Sequence, residues 1–131
     1  MNILAIKTDV PLAELHLIRG KTELTCLKWQ AHRELSATIH LQIQQLLKEQ
    51  KLTMNDIKGI IFFTGPGSFT GLRIGASVAN SLAASLQIPI VGSNQDDWLA
   101  EGQVRLDGAS LKLTGFIEPF YGSEAIITKQ K

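Results

Sequence analysis

Apolar positions along the chain change their period several times, and each change predicts an element. Residues 2–6, NILAI, form an apolar run of strand length without polar alternation, the pattern of a strand buried on both faces. Leu12, Leu15 and Leu17, then Leu24, Cys26 and Leu27, flank Arg19-Gly20-Lys21, where glycine supplies the positive φ of a tight turn, so a β-hairpin is predicted. From residue 32 to 51 the period lengthens: Leu35, Ile39, Ile43, Leu46 and Leu47 recur every three or four positions between polar residues. That predicts one amphipathic helix of about five turns. After a connector over residues 52–59, IIFFT (60–64) is β-branched and aromatic, as a buried strand would be. Residues 69–86 return to helical spacing and are rich in alanine, and IPIVG (88–92) is a further strand. Residues 93–102 read as a last helix, from an N-cap at Ser93 to a glycine stop at Gly102.

The resulting order is β-β-β-α-β-α-β-α. Hairpin-linked strands followed by helical crossovers give an α/β lobe with a mixed five-stranded sheet whose later strands are parallel. Ribonuclease-H-like and actin-like ATPase lobes are built in this order. Residues 1–102 are assigned to this lobe, and residues 103–131, where the pattern weakens, to a short remnant and tail laid over it.

Composition narrows the function classes. At 131 residues, with 44% hydrophobic and 19% charged side chains, the chain suits one domain with a real core and is not a disordered segment. Lys and Arg total 13 against 12 Asp and Glu, with no cluster of basic residues, which argues against tight binding to nucleic acid by this chain alone. The single cysteine, Cys26, excludes an intramolecular disulfide and a multi-cysteine metal site, and it reads as a buried thiol. The apolar runs are too short for a signal peptide or a membrane span, so a cytoplasmic location is expected.

The stretch FFTGPGSFTGLRIG (62–75) carries the candidate chemistry. It lacks the lysine and spacing of a P-loop, and it misses the dinucleotide pattern G-x-G-x-x-G by one residue. What remains is a strand, a Gly-Pro-Gly turn and a helix whose first N–H groups can meet an anion. Gly67, Ser68, Thr70 and Arg73 are the candidate phosphate neighbours. Inside that helix Gly71, Gly75, Ala79 and Ala83 recur every four residues, a stripe of small side chains that permits close approach of another helix. Packing within the chain and docking of an external helix both explain such a stripe. His32 and His40 are eight apart, too far to share a metal from one helix face. His16 reads as a half-exposed strand residue, and Asp96 and Asp97 as acids at a helix start. No catalytic set and no metal site is assigned.

ILAIKT at the start of the chain, the hairpin and amphipathic helix, and above all GPGSFTGLRIG (65–75) closely resemble the TsaB (YeaZ) family of bacterial tRNA threonylcarbamoyladenosine biosynthesis proteins. The resemblance spans about residues 1–100, IPIVGSNQDDWLA included. It implies an actin-like fold in a non-catalytic scaffold that binds the related enzyme TsaD, which modifies adenosine 37 of tRNA, with the ATPase TsaE cycling the complex. It also implies that the two helices at residues 32–51 and 69–86 form the partner surface, with Leu35, Ile39, Ile43, Gly71, Gly75, Ala79 and Ala83 as candidate contacts. tRNA would be met only through the complex, a homodimer is left open, no cofactor of its own is expected, and ATP or ADP would sit at the partner interface.

Three departures from the family pattern bear on these expectations. Lys7 stands where the family has Asp, which weighs against independent nucleotide hydrolysis. Leu35-Ser36-Ala37 replaces the family's His-Ser-Glu. The chain passes from Gly102 almost directly to IEPFYGSEAIITK, similar to the family's closing Pro-x-Tyr tail, as in a minimal form without the second lobe. The alternative function from another class is a small actin-like nucleotide-binding protein or kinase-like fragment, which the free helix N-terminus favours and Lys7 opposes. A metallopeptidase is weighed only through the sister family and is opposed by the histidine spacing.

Overall fold

The computed structural model describes residues 1–94 and 96–108. Its centre is β1 (Asn2–Lys7), which pairs antiparallel with β2 (Leu12–Arg19) on one side and parallel with β4 (Ile57–Phe63) on the other. β3 (Thr22–Gln30) closes the hairpin on β2, and β5 (Ile90–Ser93) adds in parallel to β4. The five-stranded order is β3-β2-β1-β4-β5, the mixed α/β sheet that the element order predicted. Gly20 supplies the hairpin turn with φ at +63°.

Because successive strand residues face opposite sides, β1 serves two cores. Leu4 and Ile6 join Leu15, Leu17, Ile60 and Phe62 beneath α1 (Leu35–Glu49) and α2 (Phe69–Leu86), while Ile3 and Ala5 join Ile18 and Ile61 beneath α3 (Trp98–Asp107).

Some boundaries differ from the sequence expectation. The first helix is shorter at both ends than residues 32–51. His32–Glu34 forms a tighter 3-10 turn, in which the Glu34 N–H donates to the Ala31 carbonyl at 2.7 Å. At the other end Lys51 turns left-handed (φ +59°) and the Leu52 N–H returns to the Leu47 carbonyl at 2.9 Å, closing the helix without a glycine. β4 begins three residues earlier than expected, at Ile57, which is buried.

The last helix departs most. Ser93 is the end of β5, and α3 runs from Trp98 to Asp107, so Gly102 stands in mid-helix rather than at a stop. A Cβ there would collide with Ile61 of β4, so the glycine lets the helix approach the sheet. The division expected after residue 102 thus falls inside one helix. The tail assigned to the end of the chain, Pro119 and Tyr121 included, lies outside the described residues from 109 onward. Among the described residues no helix is long and apolar enough to cross a membrane.

Candidate functional site

The glycine-rich stretch sits between β4 and α2. Gly65 takes φ +108°, a conformation that suits glycine, and Ser68 caps the helix, its Oγ accepting the Gly71 N–H at 3.2 Å. Two further bonds fasten the helix start to the turn after β1. The Ser68 N–H donates to the Asp9 carbonyl at 2.8 Å, and the Thr8 hydroxyl donates to the Gly71 carbonyl at 2.8 Å.

The same turn explains the small residues. A Cβ on Gly67 would stand 2.5 Å from that of Asp9, one on Gly71 would collide with the Thr8 carbonyl, and one on Gly75 would meet the Thr8 hydroxyl and stand 2.9 Å from Phe62. Gly75, Ala79 and Ala83 are buried against the chain's own sheet, and Leu35, Ile39 and Ile43 are buried on the core side of α1. Apart from half-buried Gly71, the residues expected at a partner interface therefore sit in this chain's own core, because the stripe faces the sheet.

The outward sides of the same helices form a groove of about 450 Å³, lined by Ser36 and His40 of α1 and by Thr70, Arg73, Ile74 and Ser77 of α2. Exposed Phe69 lies under the Arg73 guanidinium, 5.2 Å from the ring centroid. A second cavity of about 310 Å³ lies at the helix start, where Thr8, Ser68, Thr70, Gly71 and Arg33 meet. The four candidate phosphate neighbours are thus divided. Ser68 and Thr70 line the second cavity, Arg73 lines the groove instead, and Gly67 packs on Asp9.

At the carboxyl end of β1, Lys7 Nζ pairs with Asp9 Oδ1 at 2.6 Å and stands 4.7 Å from the Phe63 ring centroid. In open α/β sheets ligands gather at the carboxyl ends of parallel strands, and here an ammonium and a carboxylate neutralise each other at that position.

One cluster was not legible as a unit in the sequence. His16 is buried rather than half-exposed, with Nε2 2.9 Å from Glu14 Oε1 and Nδ1 3.1 Å from Glu23 Oε1, and its ring meets Trp98 edge-on at 5.6 Å. Cys26 lies opposite it on β3, half-buried rather than buried, and desolvation, followed by the Glu23 carboxylate, pushes its thiol above the ordinary value. Strict alternation places Leu24 and Cys26 on one face. A register shift between Leu17 and Ile18 separates them, so Leu24 joins Leu27 and Trp29 on the α1 side and Glu23, opposite Ile18, joins His16. Glu14-x-His16 alternation was the available signal, but the bulge leaves no sequence mark. Asp97 stands at the N-cap of α3 without a side-chain cap bond, so the expected capping role is not filled there.

Comparison with known proteins follows this architecture. Residues 29–110 match the family model described as TsaD: tRNA N6-adenosine threonylcarbamoyltransferase. The tRNA threonylcarbamoyladenosine biosynthesis protein TsaB of Escherichia coli K12 is 33% identical over 115 residues, 84% of this chain and 47% of that protein. The protein of the same name from Bacillus subtilis 168 is 32% identical over 108 residues, 82% of this chain and 47% of its own length. A solved structure titled YeaZ from Pseudomonas aeruginosa aligns with a TM-score of 0.68 at 28% identity, covering 82% of this chain and 50% of that one. The chain spans about half the length of the relatives it matches. The family model over residues 29–110, the identity to TsaB proteins over most of this chain and the fold shared with the YeaZ structure place the chain in the TsaB (YeaZ) family, within the wider family of the matching model.

Proposed function

We infer that the chain acts in tRNA threonylcarbamoyladenosine biosynthesis as a non-catalytic subunit that binds and stabilises a TsaD-type transferase. Family membership supports the pathway. The observation that carries the subunit role is the α1–α2 groove, an open, mixed polar and apolar surface on the two helices for which the family resemblance implied partner contact. The contact residues are reassigned with it: Arg73, Ile74, Ser77 and His40 face the partner, while the small-residue stripe supports the helices from behind. Lys7, held by Asp9, puts a cation where a hydrolysing relative would place a metal-binding acid, which favours a scaffold over an ATPase.

The full chain should co-elute with the TsaD-type protein of the same cell, and Ser77→Arg, at an exposed position, should abolish co-elution without altering the circular-dichroism spectrum. Unchanged co-elution of that variant would remove the groove from the interface. In this reading TsaE cycles the complex, and tRNA is met only through it.

The second cavity supports a nucleotide between the two proteins rather than on this chain alone, since exposed Ser68 and Thr70 line it at the helix start while Thr8 beside them is buried and held by the Gly71 carbonyl. Calorimetry with ATP and magnesium should show no micromolar binding to the isolated chain and binding once the partner is added. Tight binding to the isolated chain would favour the nucleotide-binding alternative.

A further inference from the structure

We propose that His16, Glu23 and Cys26 form a binding site for a zinc ion on the α3 side of the hairpin. One donor atom from each lies within 4.8 Å of the other two. Zinc binds nitrogen, oxygen and sulfur at about 2.0–2.3 Å, so donors on one tetrahedral ion stand roughly 3.3–3.7 Å apart, and the widest pair of the cluster closes by up to about 1 Å through side-chain rotation. The 3.1 Å between His16 Nδ1 and Glu23 Oε1 is close to the roughly 3.3 Å that separates two light donors on a tetrahedral ion.

The donor types select the metal. Imidazole, thiolate and carboxylate together suit zinc, whereas magnesium and calcium take oxygen donors. Cys26 binds as the thiolate, its proton passing to solvent, and thiolate plus carboxylate balance the double charge. The surroundings supply what a zinc histidine requires. Glu14 Oε1, 2.9 Å from Nε2, accepts the other ring N–H and leaves Nδ1 for the ion. Trp98 fixes the ring edge-on, and both ligand-bearing strands are internally paired. Glu23, with its side chain 44% exposed, leaves an entry path and an open fourth position.

The chain has one cysteine, which makes the test specific. The full chain titrated with cobalt(II) should develop a thiolate-to-cobalt charge-transfer band that zinc then displaces. Cys26→Ser, nearly isosteric, should abolish the band while circular dichroism stays unchanged. Glu23→Gln, at an exposed side chain, should weaken binding at least tenfold, and Glu14→Gln should keep the band with affinity lowered about tenfold. Absence of the band in the folded full chain, its survival in Cys26→Ser, or wild-type affinity in Glu23→Gln would overturn the site.

Discussion

At the scale of single residues, opposing effects at Gly75 have predictable sizes. Alanine would raise helix propensity by about 1 kcal/mol, but its Cβ would overlap the Thr8 hydroxyl that holds Gly71, and overpacking costs about 1–3 kcal/mol. Gly75→Ala should therefore lower stability by up to about 2 kcal/mol in urea denaturation, and a rise would show that the contact yields. Asp56 offers a pH test. The Thr53 backbone N–H donates to its carboxylate at 2.8 Å and holds that group below the ordinary 3.8. A carboxyl depressed in the folded state stabilises at neutral pH and loses that contribution as pH falls. The stability gap between the wild type and Asp56→Ala should thus be present at pH 7 and shrink as the solution is acidified below about pH 5. The glycines of the α2 start were visible in the sequence, but not what they touch. Thr8 lies 63 positions from the Gly71 carbonyl it binds, and no local pattern reports that pairing.

Elements were legible wherever one periodicity ran unbroken. α2 spans Phe69–Leu86, as its spacing predicted, with Ser68 capping one end and left-handed Gln87 closing the other. α3 was misplaced because a glycine inside a helix resembles a stop when the facing strand is unknown. Gly102→Val should push α3 off Ile61, costing about 2–3 kcal/mol and speeding hydrogen exchange in α3 before the β1–β2 hairpin. Equal exchange in both would mean that the helix is not seated on the sheet through this contact.

For the molecule as a whole, the decisive fact is which face each helix turns to the sheet. Ala79 is fully buried, so Ala79→Arg would place an unpaired charge in the core and should destabilise the chain by more than about 3 kcal/mol, with loss of the circular-dichroism signal. Ser77→Arg, two residues away on the open side, should leave the fold intact. A folded Ala79→Arg chain would contradict the placement of the stripe. The sequence alone determined the element order and the mixed sheet, because strand and helix periods are written in neighbouring residues. Its eleven-residue glycine motif also led to the family. The tertiary structure alone decided that the small-residue stripe faces inward, that Gly102 seats a helix, and that His16, Glu23 and Cys26 meet. Each of these depends on a contact between residues far apart in the chain or on a bulge in strand register, and neither leaves a period in the sequence.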